Sequence, residues 1–298
     1  MVLLIIVYSI WLPATFPTHG NVVAMLSSQS FVLILALAVT IPLRSGDFDL
    51  SVSAVMVFTA AVLGILVSQH HWSVGAAIPV TLAIGFAAGL LNAFFIVKLG
   101  INAFIVTLAT MTALGGLTFG ITNSNIVSNF PHSLLVLGQA SAGGLPDAVY
   151  YGWVVAIVLW YVFEYTPYGR QLLFVGGSRD ASRLAGLRVN RVRISAFVAS
   201  AVLAAVAGVV LAANVGAVDP SEGPSFLLPP YAAAFLGTTT IQIGRFNIAG
   251  TVIASYLLIV GVTGLLLAGA SPWVSDLFNG VALLAAVAFA RFAARRSE

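Results

Sequence analysis

Long apolar runs dominate this sequence and constrain its fold more than any other feature. A helix that crosses the roughly 30 Å hydrocarbon core of a bilayer needs about 20 predominantly apolar residues. About ten runs approach that length, at roughly residues 1–16, 21–43, 50–69, 74–97, 102–122, 149–164, 192–214, 226–243, 248–269 and 274–291. Charged residues make up 7% of the chain, against roughly 25% in soluble domains. We therefore predict an all-α polytopic membrane protein with about ten transmembrane helices, in which residues 1–298 form a single transmembrane domain.

Two of these runs are irregular. The first is short, uncharged and interrupted by Pro13, and the eighth contains Pro229-Pro230 and three consecutive threonines, Thr238–Thr240. Proline removes a backbone donor, and polar backbone groups freed in a membrane must be satisfied inside protein. The sequence therefore predicts short or broken helices at both places.

The basic residues predict the orientation of the chain in the membrane. When loops are assigned alternately to the two sides from a cytoplasmic N-terminus, all twelve fall on the cytoplasmic side, as the positive-inside rule requires. They lie in three short turns, in and beside a longer loop at 165–191, and in the C-terminal tail: Arg44, Lys98, Arg245; Arg170, Arg179, Arg183, Arg188, Arg191, Arg193; Arg291, Arg295, Arg296. All four histidines fall outside. We predict a multi-pass protein of the inner (cytoplasmic) membrane, with both termini in the cytoplasm and an outer loop at 123–149.

Reactive residue types are scarce, which argues against catalysis. The chain has no cysteine, and its four histidines show no metal-ligand spacing. The single lysine, Lys98, is followed by Leu99, so no phosphate-binding loop of the Gly-x-x-x-x-Gly-Lys-Ser/Thr type exists. No Gly-x-Ser-x-Gly motif accompanies the outer histidines. We predict no catalytic residue, no metal site, no bound cofactor and no nucleic-acid partner.

Polar residues in and beside the spans are candidates for a solute path. No acidic residue lies at the middle of a predicted span, where a charge costs at least about 2.5–3.5 kcal/mol. Asp49 and Ser51 lie at a span boundary and can equally cap the following helix. Neutral hydroxyls and amides within spans either tie helices together or line a wet path. As a set they suit an uncharged, hydroxylated solute, and the candidate path residues are Asp49, Ser51, Asn92, Thr107, Thr110 and Thr239.

Small residues recur at the four-residue spacing that permits close helix contact. The pairs are Gly85/Gly89, Gly116/Gly120 and Ala204/Gly208, and we interpret them as ordinary bundle packing. A weaker repeat relates residues 46–51 to residues 244–249, both in predicted inner turns. If this repeat is real, it marks corresponding elements of two related halves.

The inner loop at 165–191 predicts a short amphipathic helix. Gly176-Gly177 interrupt the preceding segment, Ser178 can cap the helix, Asp180 suits its positive end and Gly186 can end it. Ala181, Leu184 and Ala185 can face one way while Arg179 and Arg183 face another. From the charges alone, a basic loop held near anionic lipid is an equal alternative.

This segment resembles the cytoplasmic coupling helix of ABC-importer permeases of the ribose type, in the branched-chain amino acid/sugar permease superfamily. The matching residues are Gly169-Arg170, Gly176-Gly177-Ser178, Asp180-Ala181-Ser182-Arg183 and Gly186-Leu187. Residues 46–51, 89–92, 104–108 and 228–238 are similar to further motifs of the family, so the resemblance covers roughly residues 20–290. The chain departs from the family pattern at Asp47 and Ala93, where glycine is typical, and at Asn102, where proline is usual.

The resemblance implies a non-catalytic permease subunit of an ATP-driven importer that takes a neutral monosaccharide, a ribose-like pentose or a hexose, into the cytoplasm. It implies that ATP and magnesium bind to separate ATPase subunits. The other implied partners are a periplasmic or lipid-anchored sugar-binding protein, a second permease copy, identical or related, and membrane lipid. The residues implied to couple this chain to the ATPase are Arg170, Gly176, Gly177, Asp180, Arg183 and Gly186.

A different class of protein also fits the residues themselves. A stand-alone secondary transporter or facilitator of a small polar solute would use the inner loop as a topology anchor. The absence of ionisable residues at the middle of predicted spans argues against proton coupling but not against facilitated flow.

Overall fold

The computed structural model describes residues 1–295, and in that range the chain forms thirteen α-helices and one short β-hairpin. The helices are α1 Val2–Trp11, α2 His19–Arg44, α3 Val52–Ser68, α4 Val74–Ala93, α5 Ala103–Thr122, α6 His132–Gln139, α7 Asp147–Tyr165, α8 Pro167–Gly177, α9 Arg179–Leu184, α10 Val189–Val215, α11 Leu228–Gly237, α12 Ile248–Leu267 and α13 Trp273–Arg295. Strands β1 Ser141–Ala142 and β2 Leu145–Pro146 form the hairpin. The predicted all-α fold is confirmed.

Each of the ten predicted runs contains a helix, but the helices differ in length. Among the residues that the structure describes, six are long and apolar enough to cross a membrane: α2, α4 with its π-helical continuation to Lys98, α5, α7, α10 and α12. Helices α1, α3 and α11 and the apolar part of α13 are shorter. The short first helix and the broken eighth run were both predicted, since α11 covers only ten residues after a 3₁₀ turn at Gly223–Phe226. The structure adds α6 and α8, which the apolar pattern does not predict.

Helices α2 and α10 form the centre of the bundle. From Gln29 to Arg44, every residue of α2 is buried, because α3, α7, α10, α11 and α12 all pack around it. Helix α10 packs against α2, α3 and α4. A helix covered on all sides has no polar face, and residues 31–39 of α2 are accordingly all apolar.

Two of the three small-residue pairs make close helix contacts. A Cβ atom added at Gly85 would lie 2.6 Å from the Cβ of Ala205, and one at Gly89 would lie 2.7 Å from the Cα of Val198, so α4 approaches the backbone of α10. Gly208 faces the backbone of α3 in the same way. These contacts confirm the packing interpretation for α4 and α10. Within the described residues, Gly116 and Gly120 of α5 have no neighbour within 4 Å of an added Cβ.

The predicted inner turns meet at one end of the bundle, which we call the inner end. It contains the turns at 45–51, 94–102 and 238–247 together with α8 and α9. Arg44 donates to the carbonyl of Phe246 at 3.3 Å, and Asp47, Asn102 and Arg179 line one cavity. The opposite, outer end contains the 123–147 segment, which pairs with the chain after α10 through a bridge between Val127 and Val218. Arg296 of the basic tail lies outside the described residues.

The weak repeat has a structural counterpart. Gly46 and Gly244 both adopt φ +78°, a conformation that glycine tolerates without steric cost. Three residues after each glycine, a side chain accepts a backbone N–H: Asp49 from Ser51 at 3.2 Å and Asn247 from Gly250 at 2.7 Å. The two inner turns therefore share a glycine with positive φ and, three residues later, a side chain that accepts a backbone N–H; the start of α12 is capped by Asn247, whereas the Ser51 side chain at the start of α3 makes no capping bond.

Candidate functional site

Four of the six predicted path residues form one chain of hydrogen bonds, which we call the polar chain. The Asp49 carboxylate accepts from the Ser51 hydroxyl at 2.6 Å. The Asn92 amide donates to the Ser51 Oγ at 2.8 Å, and its Oδ1 accepts from the Thr110 hydroxyl at 2.7 Å. The polar chain therefore connects the turn between α2 and α3 with α4 and α5.

The polar chain is buried. Asp49, Ser51 and Asn92 are 0% exposed and Thr110 is 8% exposed. Buried polar groups need partners, and the hydrogen bonds of the polar chain provide them here for every side chain, with Asp49 Oδ2 as the exception within residues 1–295. Of the two alternatives for neutral polar residues in the spans, this geometry favours the tie between helices. Passage of a solute along these residues stays a prediction.

The remaining two path residues lie apart from the polar chain. The Thr107 hydroxyl is buried on α5 and donates to the carbonyl of Ala103, one turn earlier, at 2.8 Å. Thr239 follows α11 at the inner end and donates to the carbonyl of Leu236 at 2.8 Å. Both hydroxyls are therefore satisfied locally, and neither joins two helices.

The alternative prediction, that Asp49 or Ser51 caps the start of α3, is confirmed only for Asp49. Asp49 accepts the backbone N–H of Ser51, whereas the Ser51 side chain makes no capping bond to α3. The backbone N–H of Asp49 in turn donates to the hydroxyl of Tyr231 on α11 at 3.1 Å. Within residues 1–295, Asp49 Oδ2 has no hydrogen-bond partner.

The predicted amphipathic helix is α9, and its ends fall where the sequence predicts them. The Ser178 Oγ accepts the backbone N–H of Ala181 at 3.2 Å, and Gly186 adopts φ +79° just after the helix. Asp180 and Arg183 pair at 3.1 Å on the exposed surface. Leu184 is 90% exposed. The apolar face of α9 therefore points away from the rest of the described chain.

The predicted coupling residues differ in their surroundings. Arg170, Asp180 and Arg183 are exposed, and an added Cβ at Gly177 or Gly186 would have open space. Gly176 is different, because a Cβ there would collide with the carbonyl of Arg44 at the end of α2. Gly176 thus allows α8, which includes both glycines, to pack closely against α2.

A cluster of charges lies beside α9 that was not predicted from the sequence. Asp47 accepts from Arg193 Nε at 2.7 Å and Nη2 at 2.8 Å, and from Arg179 Nη2 at 2.9 Å. The signal available in the sequence was one acidic residue in an inner turn and several arginines in another inner segment. A cavity of about 740 Å³ opens beside this cluster, and Arg183 and Asn102 also line it.

A second missed contact joins three inner segments. Arg44 lies 3.9 Å from a Glu164 carboxylate oxygen and 4.5 Å from the centre of the Phe163 ring. Gln242 donates to the other oxygen of Glu164 at 3.1 Å. These contacts connect the ends of α2 and α7 with the turn before α12.

Comparison with known proteins gives consistent matches over nearly the whole chain. The family described as "Branched-chain amino acid transport system / permease component" matches residues 21–287. The ribose import permease protein RbsC of Escherichia coli (strain K12) is 30% identical over 280 residues, which cover 93% of this chain and 87% of RbsC. The L-arabinose transport system permease protein AraH of the same strain is 32% identical and covers 97% of this chain, with 88% of AraH matched. The autoinducer 2 import system permease protein LsrD of Photorhabdus luminescens is 30% identical, with 89% of this chain and 82% of LsrD matched.

A chain of one solved structure, PsaBC from Streptococcus pneumoniae in complex with Fab, has a similar fold. The TM-score is 0.50 at 16% identity, covering 98% of this chain and 95% of that chain. Identity this low concerns the fold alone. The family match spans most of the sequence and agrees with the all-α, membrane-spanning architecture. This chain is therefore a multi-pass member of the branched-chain amino acid transport system permease component family.

Proposed function

We propose that this chain is the permease subunit of an ATP-driven importer that carries a neutral monosaccharide, a ribose-like pentose or a hexose, into the cytoplasm. The observation that carries this proposal is the 30–32% identity, over at least 87% of each protein, to permeases named for ribose and L-arabinose. The neutral path candidates Asn92, Thr107, Thr110 and Thr239 agree with such a cargo. A sugar must exchange its hydrogen bonds to water for others, whereas a charged solute needs a compensating charge.

ATP hydrolysis takes place in a separate chain on this proposal. The sequence contains no phosphate-binding loop of the Gly-x-x-x-x-Gly-Lys-Ser/Thr type, so ATP and magnesium bind to the ATPase partner and this chain needs no cofactor of its own. Helix α9 is the contact surface for that partner. Its exposed Leu184 would otherwise face water, and Arg170, Asp180 and Arg183 supply charges around it. Gly176, Gly177 and Gly186 shape the backbone on either side of α9.

A second permease copy, identical or related, packs beside α5. The open positions Gly115, Gly116 and Gly120 lie along this helix, where small residues let two helix backbones approach. A cavity of about 380 Å³ lies between α3, α5 and the segment at 220–224, and Thr112 lines it. The solute path runs beside this face, with Asp49, Ser51, Asn92, Thr107 and Thr110 behind it and Thr239 at the inner end.

The remaining partners follow from the orientation. With both termini in the cytoplasm, the 165–191 segment faces the ATPase, and the 123–149 segment faces a periplasmic or lipid-anchored sugar-binding protein. Residues 1–298 act as one permease domain, surrounded by lipid in the inner membrane. Tight solute recognition belongs to the binding protein, because a transient path need not bind strongly.

The test is uptake by the complex reconstituted in liposomes with its ATPase and binding protein. Labelled ribose is offered with unlabelled arabinose, galactose or glutamate as competitors. We expect ATP-dependent ribose uptake, competition by at least one sugar and none by glutamate. The controls are liposomes with an ATPase variant that binds but does not hydrolyse ATP, and liposomes with this chain alone. Equal uptake in those controls would identify a stand-alone transporter, and carriage of glutamate without sugar competition would contradict the neutral cargo.

A further inference from the structure

Asp47 joins its own turn to two neighbouring helices, α9 and α10, whose contacting residues lie 132 and 146 positions later in the sequence. It lies in the turn between α2 and α3 and is 4% exposed. Arg193, in the first turns of α10, binds both carboxylate oxygens, at 2.7 Å and 2.8 Å. Arg179, the first residue of α9, binds one of the same oxygens at 2.9 Å. One carboxylate therefore holds two guanidinium groups from two different helices.

The two arginines have different surroundings. The side chain of Arg193 is 10% exposed and that of Arg179 is 39% exposed. A two-point, charge-assisted contact between buried groups fixes the geometry of both. Arg193 thus fixes the position of the Asp47 carboxylate. One oxygen of that carboxylate also accepts a hydrogen bond from the half-exposed Arg179.

Helix α9 has few other connections to the bundle. Its apolar residues Ala181 and Leu184 are exposed, and the helix packs mainly against its neighbours in sequence, α8 and α10. Within residues 1–295, Arg179 makes the only side-chain hydrogen bonds from α9 to another element, to Asp47 and to the carbonyl of Gly46 at 3.2 Å. Apart from the backbone packing of Gly176 against Arg44 and Gly46, the position of α9 relative to the turn between α2 and α3 therefore depends on this pair.

The same turn leads directly to the polar chain. Two residues after Asp47, Asp49 binds Ser51, which in turn binds Asn92 on α4. The backbone N–H of Asp49 donates to Tyr231 on α11. A displacement of α9 that is passed to Asp47 therefore reaches α3, α4 and α11 through one short segment.

We propose that Asp47 is a positioning residue that holds α9 to the turn between α2 and α3 and so sets how much solute is moved for each ATP hydrolysed. This proposal rests on the proposed function. Asp47 contacts neither the solute nor ATP in it. It acts through Arg179 on α9 and through residues 49–51 on the helices around the polar chain.

The first measurement needs neither ATP nor solute. In the cysteine-free chain, Leu184→Cys carries a nitroxide label, and its mobility is measured by electron paramagnetic resonance in liposomes without the ATPase. Asp47→Asn removes the charge with little change in shape. Arg179→Gln leaves the buried pair of Asp47 and Arg193 in place, and it therefore serves if Asp47→Asn does not fold. The matched control is Arg191→Gln, which removes an exposed guanidinium that forms no ion pair with the described residues.

We expect higher label mobility in Asp47→Asn and Arg179→Gln, and the parent mobility in Arg191→Gln and in the conservative variant Asp47→Glu. In the unlabelled reconstituted complex, we expect Asp47→Asn and Arg179→Gln to lower uptake per ATP by about tenfold, a common size for coupling between sites. Assembly with the ATPase should persist, which a merely structural role would not predict.

Unchanged mobility in the folded variants would overturn the proposal, as would increased mobility with unchanged uptake per ATP. If the parent complex itself carries no solute with ATP, the proposed function fails. The mobility measurement then still shows whether Asp47 holds α9.

Discussion

The hydrogen bond between Asn92 and Thr110 offers the sharpest test of the polar chain. Asn92 is 0% exposed and makes two side-chain hydrogen bonds, one with Ser51 and one with Thr110. Asn92→Leu removes both with little change in volume, whereas Thr110→Val removes only the one that it shares with Asn92. Each single variant loses the hydrogen bond between Asn92 and Thr110. The double variant loses that same bond only once, so its cost should be smaller than the sum of the two single costs.

The expected changes in the free energy of unfolding follow from the number of hydrogen bonds that each variant loses. Side-chain hydrogen bonds between membrane helices contribute on average about 0.6 kcal/mol, with a maximum of about 1.7 kcal/mol. Thr110→Val should then cost about 0.6–1.7 kcal/mol. Asn92→Leu should cost about 1–3 kcal/mol, since it also leaves buried hydroxyls with fewer partners. In a double-mutant cycle the coupling between the two positions should be about 0.6–1.7 kcal/mol.

The assay is reversible unfolding of the purified chain in mixed micelles, and Thr107→Val is the matched control. Thr107 lies on the same helix and is also buried, but its hydroxyl bonds only within α5, so its cost should add to that of Asn92→Leu. Additive costs for Asn92→Leu and Thr110→Val would refute the shared bond. Coupling as large at Thr107 as at Thr110 would show that the effect is general loosening of the bundle. In the reconstituted complex, Asn92→Leu should lower the maximal uptake rate without changing which sugar is preferred.

Three further predictions concern the backbone, the packing and the orientation. Gly186→Val should weaken ATPase binding in a pull-down while the chain still inserts, because φ +79° costs a non-glycine residue about 1–2 kcal/mol; normal binding would make this turn irrelevant to docking. Gly89→Leu should reduce the yield of folded chain because its side chain would enter the backbone of α10. Gly116→Leu, which has open space within the described residues, should leave the fold intact and weaken association of two permease copies; equal loss of folded chain in both variants would contradict this contrast. A cysteine at Ser141 should react with an impermeant maleimide from outside the cell, and one at Leu184 only after the membrane is opened; labelling of both from outside would contradict their placement on opposite sides of the membrane.

Much of the helical architecture could be predicted from the sequence because the bilayer restricts the choices. In hydrocarbon every backbone N–H and C=O must be satisfied internally, so apolar runs become helices. The predicted run at 248–269 and helix α12, Ile248–Leu267, agree to within two residues. The ends of α9 could also be predicted from the sequence, since the Ser178 cap and the Gly186 conformation depend on atoms a few residues apart. Family membership was also visible, because its motifs are short stretches of sequence.

The candidate site was predictable only in its residue types. Asn92 and Thr110 were candidates because they are polar and lie within spans, but Thr107 and Thr239 satisfied the same criterion and lie outside the polar chain. The basic residues were predicted as a group to lie on one side of the membrane, yet nothing in the sequence paired Asp47 with Arg179 and Arg193. Each of these pairings depends on the rotation and depth of separate helices.

The pairs Gly85/Gly89 and Gly116/Gly120 separate the two kinds of information. Their spacing is the same, and in both the sequence determined that two small residues share one helix face, because the period of an α-helix is set by local backbone geometry. Only the tertiary structure decided that the first pair meets α10 and that the second faces open space within residues 1–295. A helix face finds its partner through contacts between segments more than a hundred residues apart, and those contacts depend on how the whole bundle packs.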